Sequence, residues 1–203
     1  MPRGKQQFDA MRSATKEKIL AAGLQLFSHK GLAATSIQEI ASQAGISVGL
    51  MYHYYKSKEE LFSELVQTAV SLADESTQAR FTSDQSPAEK IRGFSNEVIG
   101  DIAQNNWMSQ IYLLVIHYML AVDFPEKVSE IREKGFAPLE NLKRTIIEGQ
   151  QRGEIRPGDP LEMATLYFAA IQGLAIAKLT MGDRFVLPNS DLLSHILLKS
   201  GED

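Results

Sequence analysis

The sequence predicts an all-α protein: an N-terminal three-helix helix-turn-helix head on a larger C-terminal helical bundle, about nine helices in all. Three observations carry this expectation. Apolar residues recur at three- and four-residue intervals along almost every segment. No stretch of useful length alternates with the period of two that a half-buried strand needs. Capping residues bracket the periodic segments. A chain of 203 residues, 44% of them hydrophobic, has enough apolar surface to fill such a core.

The elements follow in order. Ile19, Ala22, Gly23, Leu26 and Phe27 lay one apolar stripe along a first helix. Ser13 is its expected N-cap, and His29-Lys30-Gly31 supplies cations and then a terminating glycine. Residues 1–12, carrying Arg3, Lys5 and Arg12, read as a flexible basic arm. Ser36 and Glu39 form a capping box for a short second helix with Ile37, Ile40, Ala41 and Ala44 on one face, stopped at Gly45. Ser47 caps a third helix reaching about Tyr55, and Ser57 caps a fourth whose first turn holds Glu59 and Glu60. Beyond residue 60, turn signals at 82–87, 105–106, 123–125, 152–160 and 182–189 separate long helical patterns.

Composition excludes several classes. With no cysteine there is no disulfide and no thiolate metal site, which suits a reducing cytoplasm. The first residues are charged with no apolar run behind them, unlike a secretory signal. The apolar run 111–122 is too short to span a bilayer, and 161–181 carries Glu162, Gln172 and Lys178, so both read as buried helices and no membrane partner is expected. There is no HExxH, GxSxG or glycine-rich phosphate loop, and His29, His53, His117 and His195 lack metal-ligand spacing. No enzyme activity, cofactor or metal is therefore expected. Net charge is −4, but it is unevenly placed: residues 1–60 sum to +3 and the remainder to −7. A basic head on an acidic body suits a protein that meets phosphate at one end.

Residues 35–58 carry the most information. Two short helices crossing steeply through a tight turn need a small residue where they touch (Ala41) and a residue tolerating positive φ at the turn (Gly45). Ile40, Ala44, Ile46 and Met51 then face inward, and Tyr54 can join them. With Met51 inside, Ser47, Val48, Gly49, Tyr52 and His53 point outward from the start of the third helix, where a major groove is read. Val48 beside Gly49 permits close approach and contact with thymine methyls, and Tyr52 and His53 offer polar groups to phosphates or base edges. Thr35, Ser36 and Lys58, at helix starts, suit phosphate. The functional expectation is binding to double-stranded DNA.

The run Thr35-Ser36-Ile37, Ile40-Ala41, Ala44-Gly45-Ile46-Ser47, Gly49, Tyr52, Tyr54-Tyr55, Ser57-Lys58-Glu59 and Leu61 closely resembles the N-terminal domain of the TetR/AcrR family. The preceding Ala22, Leu26-Phe27 and Gly31 match that family's first helix. The resemblance is tight over residues 13–65 and continues loosely through Ile147, Gly149, Gly153, Ile155-Arg156, Asp159-Pro160 and Gly173. Tyr55 departs from the family's usual Phe, and its hydroxyl needs an outlet. The resemblance implies a homodimeric, usually repressing regulator, with a DNA-binding domain at 13–57 and an effector-binding and dimerisation domain at 58–203. It implies DNA contact at Gln38, Val48, Gly49, Tyr52 and His53, and backbone contact at Thr35, Tyr54 and Lys58.

For the body, the resemblance implies a cavity for a small apolar or amphipathic effector. Trp107, Met108, Tyr112, His117 and Met119 are the candidates, since methionines and aromatics suit adaptable apolar binding; plain core packing is the competing reading. Small residues at Ala164, Ala169, Ala170, Gly173 and Ala177 suit close helix approach, so the dimer interface is expected near 160–180 and 190–200. Two recognition helices about one DNA turn apart, or a multiple of it, require a pseudo-palindromic operator. An effector preferring another spacing releases the DNA. An effector-independent DNA-binding protein or an activator remains the alternative, favoured if the body is packed solid.

Overall fold

The computed structural model describes residues 3–104, 106–120 and 128–199, with side chains described for 13–72, 74, 75, 77–104, 109–115, 118 and 136–199. Among these residues every regular element is helical: α1 (Arg3–Lys30), α2 (Ile37–Ala44), α3 (Val48–Tyr54), α4 (Lys58–Phe81), α5 (Pro87–Gln104), α6 (Asn106–Leu120), α7 (Val128–Gln151), α8 (Pro160–Met181) and α9 (Ser190–Ser194). One 3-10 turn, Gly182–Arg184, follows α8. The all-α expectation holds.

α1 starts ten residues earlier than the Ser13 cap expected from sequence, taking in Arg3, Lys5 and Arg12. The Ser13 hydroxyl lies 3.4 Å from the Glu17 carboxylate, one turn on, rather than capping a backbone N–H. Gln6, Gln7, Ala10, Met11 and Arg12 are good enough helix formers to let the helix run back through them.

The chain divides into two compact units. The first comprises Met1–Ala69 and Leu113–Ala121, the second Val70–Tyr112 and Val122–Asp203. The first unit therefore extends past Lys58 into α4. The reason is apolar burial: Leu61, Phe62 and Val66 are fully buried with Ile19, Phe27, Ile40 and Met51. Phe27 and Phe62 meet edge to face at 5.1 Å, and Phe62 lies 6.0 Å from Tyr118 of α6. Gly23 allows α1 close to α4, since a Cβ there would sit 2.8 Å from Leu61. A Lys16–Glu64 ion pair at 2.8 Å closes the outside of the same contact.

The second unit packs α5, α7, α8 and α9 around Ile91, Phe94, Ile102, Leu142, Ile146 and Tyr167. Phe94 is its aromatic hub, touching Phe81, Tyr167 and Phe168. The chain after α7 folds back on itself. Gly153, at φ 73°, ends the helix, and Ile155 pairs with Leu198 in one antiparallel bridge. The Arg156 guanidinium donates to the His195 carbonyl.

α8 is long and apolar enough to cross a membrane by length and composition alone. Its inner face (Ala164, Tyr167, Ile171 and Ala175) is wholly buried in the core, but the expectation of a buried helix holds for that face only. Leu161, Leu166 and Met181 are 45%, 60% and 52% exposed, and Thr165, Ala169 and Gly173 are exposed as well. Ala164 thus serves this chain's own core, as do Leu193, Leu197 and Leu198, leaving Leu192 exposed at 62%.

Candidate nucleic-acid interface

The geometry around α2 and α3 follows from their caps. Ser36 stands in extended backbone, and its hydroxyl accepts the Glu39 N–H at 3.2 Å while Glu39 Oε2 accepts the Ser36 N–H at 2.9 Å. Lys30 adds an ammonium 2.8 Å from the same carboxylate. The Lys30 hydrogen bond first, then the Ser36 backbone and side chain, hold the Glu39 carboxyl down at about 2. Gly45 takes φ 68° at the end of α2, and the Ile46 N–H reaches back to the Ala41 carbonyl at 3.0 Å. Ser47 then caps α3 by accepting the Leu50 N–H at 3.1 Å.

With α3 so placed, Met51 is fully buried and Tyr55, one turn later, is 3% exposed. Ile46, expected in this small core, is only half-buried, and Tyr55 fills the place instead. Its hydroxyl is buried and has no partner in hydrogen-bond geometry among the described residues, although the Glu64 carboxylate is close enough to influence it. Burial first, then the Glu64 and Glu60 carboxylates, push this phenol well above its ordinary range.

The opposite face of α3 is open. Ser47, Gly49, Tyr52 and His53 are exposed, as is Gln38 on α2, and Val48 is half-buried. Tyr52 is 52% exposed, and neither its hydroxyl nor the His53 ring bonds to any described residue. Leu50, which the sequence reading left out, is 39% exposed between them. Its place one residue before buried Met51, about 100° round the helix from it, was the available signal. Gly49 has no positive φ, and a Cβ there would meet nothing closer than Ser47 Oγ at 4.0 Å.

The residues assigned to phosphate behave differently. Thr35 is 2% exposed, and its hydroxyl donates to the Gly31 carbonyl at 2.8 Å. Ser36 is occupied by its capping box. Lys58 is half-buried, with Nζ donating to the carbonyls of Leu32, Ala33 and Thr35 at 2.8, 3.2 and 2.9 Å. Tyr54 is half-buried and engaged within the protein.

Sequence comparison places this arrangement. The family described as "Bacterial regulatory proteins, tetR family" matches residues 19–65. Over 46 residues, 23% of this chain, the sequence is 56% identical to the uncharacterized HTH-type transcriptional regulator YerO of Bacillus subtilis, a match spanning only 16% of that protein. The HTH-type transcriptional repressor KstR2 of Mycolicibacterium smegmatis is 31% identical over 151 residues, which are 71% of this chain and 69% of KstR2. The chain belongs to the TetR/AcrR family. It is a DNA-binding transcriptional regulator of that family, and its fold agrees. The crystal structure of AibR in complex with isovaleryl coenzyme A and operator DNA superposes with a TM-score of 0.70 at 20% identity, covering 90% of this chain and 94% of AibR.

In this TetR-family chain the effector candidates are only partly described. Trp107, Met108, His117 and Met119 lie on α6, and their side chains fall outside the described residues. Tyr112 is described: it is half-buried, packs against the second unit's core, and its phenol is pushed up to about 12 by burial and then by Asp101. Two polar groups that sequence did not reveal lie nearby in the fold. The Tyr167 hydroxyl bonds Ser95 Oγ at 2.7 Å inside the core. Ser109, one turn before Tyr112 on α6, is fully buried, and its hydroxyl has no partner among the described residues.

Proposed function

We propose that this TetR-family regulator reads double-stranded DNA with the exposed front of α3, through Ser47, Val48, Gly49, Tyr52 and His53, with Gln38 beside them. The observation that carries this reading is Gly49. Glycine inside a helix costs about 1 kcal/mol relative to alanine, yet no neighbour crowds this one and its backbone does not require it. A residue that the fold does not need, placed between an exposed tyrosine and a helix N-cap, suits a surface that a partner approaches closely. Tyr52 and His53 then offer uncommitted polar groups to phosphates or base edges.

The regulator acts as a homodimer. The exposed side of α8 presents Leu161, Leu166, Ala169 and Gly173, with Thr165 and Gln172 among them. Apolar residues gathered on the outside of a helix whose inner face is already buried are ordinarily covered by a partner. Gly173, again with no atom within 4 Å of a Cβ, permits close approach by a second copy. Two heads then meet half-sites of a pseudo-palindromic operator about one helical turn, ~34–36 Å, apart or a multiple of that. The protein works in the cytoplasm as a repressor, in line with the name of its relative KstR2. An apolar or amphipathic effector in the α6 region, with a hydrogen-bonding group for Tyr112 or Ser109, favours another head spacing and releases the DNA.

Selecting bound duplexes from a random pool, then screening small molecules for release of the selected site, tests both halves. A palindromic consensus released by a ligand is expected. Binding without sequence preference overturns the reading of α3, and a selected site that no ligand releases favours an effector-independent regulator.

A further inference from the structure

Ser109 is the exception among the buried hydroxyls described in the second unit. Thr77, Thr145 and Ser194 are buried too, and each donates to a carbonyl of the turn before it, at 3.0, 3.1 and 2.9 Å. Ser95 is bonded to the Tyr167 hydroxyl at 2.7 Å. Ser109 is as deeply buried as Ser95, yet its hydroxyl has no partner among the described residues. A helix offers such a hydroxyl the carbonyl of its own preceding turn, and leaving it unpaired is unfavourable. Three residues on, Tyr112 shares this face of α6. It packs half-buried against the core, and its hydroxyl also bonds no described residue. Burial and then the Asp101 carboxylate push the phenol up to about 12, so near neutral pH it keeps its proton and can donate. The Asp101 carboxyl, near the end of α5, is itself raised by partial desolvation and then by Glu97 one turn earlier. Two free O–H groups therefore stand beside negative charge.

We infer that Ser109 and Tyr112 together hold the polar end of the effector, and that this end is a neutral oxygen acceptor such as a ketone or ester carbonyl. This rests on the reading of the α6 region as the effector site. The choice follows from charge and from the supply of donors. A carbonyl oxygen has two lone pairs and can accept from both hydroxyls at once. A carboxylate would accept from them as well, but it would lose water beside the carboxyls of Asp101 and Glu97. A quaternary ammonium has no acceptor, so both hydroxyls would stay unpaired beneath it.

Methyl octanoate, octanoate and octyltrimethylammonium share one apolar chain and differ in the charge of their heads, so calorimetry of the full chain with each separates the three classes. The wild-type protein is expected to bind the ester about tenfold more tightly than either charged probe. Ser109→Ala and Tyr112→Phe should each lower the ester's affinity about fivefold. Ser109→Ala should do so without lowering the ligand-free melting temperature, because it removes an unpaired hydroxyl. A serine that only supports the core would give the opposite pair of results, a lower melting temperature and unchanged ester affinity. Equal or tighter binding of octanoate or octyltrimethylammonium overturns the inference, as does unchanged ester affinity in either variant, or no binding of the ester at all. Release of a selected duplex is read in parallel and separates this inference from the reading beneath it. If octanoate binds tightest and releases the DNA, the effector site stands and the chemistry assigned to it falls. If the ester binds as expected and no probe releases the DNA, the chemistry stands and the regulatory role of the site falls.

Discussion

The front of α3 and the turn between α1 and α2 carry similar chemistry, hydroxyls and a nearby cation, yet the fold leaves the first exposed and bonds the second internally. On α3, Tyr52 and His53 face outward with no bond to any described residue, and Gly49 leaves open space beside them. In the turn, Thr35, Ser36 and Lys58 give every donor to the protein itself. A hydroxyl or ammonium at a helix start can thus be bonded within the protein before any phosphate arrives. What separates the two regions is whether the fold has already consumed the group.

This comparison can be broken or sharpened by mutation, and the largest effect should come from the wall behind α3. Met51→Ala empties a fully buried position and should destabilise the first unit by about 2–5 kcal/mol, measured by denaturant unfolding. A negligible loss would mean that α3 is not anchored through Met51. Thr35→Val removes the hydroxyl on the Gly31 carbonyl and should cost about 1–2 kcal/mol of stability. The salt dependence of DNA binding should stay unchanged; a flatter slope would return Thr35 to the phosphate contacts.

Tyr55→Phe acts in the other direction. It deletes a buried hydroxyl that meets no acceptor in good geometry among the described residues and lies near the Glu64 carboxylate. A gain of up to about 1 kcal/mol is therefore expected, seen as a higher melting temperature. A loss would reveal a bond that this hydroxyl makes. The smallest effect concerns pH. The Glu39 carboxyl is lowered from 4.5 to about 2 in the folded protein. Its contribution is fully present above the unfolded value and is lost as pH falls from about 4.5 toward 2. Glu39→Gln should remove that part of the acid dependence while leaving stability near neutral pH only slightly reduced.

Much of the head was legible in the sequence because local rules fix it. The Ser36–Glu39 capping box, the positive φ of Gly45 and the inward Met51 each follow from a residue type at a fixed offset, and all three stand in the structure. The Lys58 contacts were not legible, because they join residues 23 to 26 positions apart through backbone carbonyls that no side-chain pattern marks. The body shows the same limit on a larger scale. Its helices could be read from periodicity, but the Ser95–Tyr167 bond spans 72 positions and arises only when α5 and α8 pack. The two faces of α8 were likewise hard to separate by residue type, since both carry alanines and larger apolar residues. Only burial separates Ala164 from Ala169.

Gly49→Ala tests most directly whether the front of α3 is kept open for DNA, with two readings of one variant. A Cβ has space there, and alanine is the better helix former, so stability should hold or rise by up to about 1 kcal/mol. Affinity for the selected duplex should fall tenfold or more, about 1.4 kcal/mol or greater. A variant that is equally stable and binds the same DNA as tightly as wild type would contradict the claim.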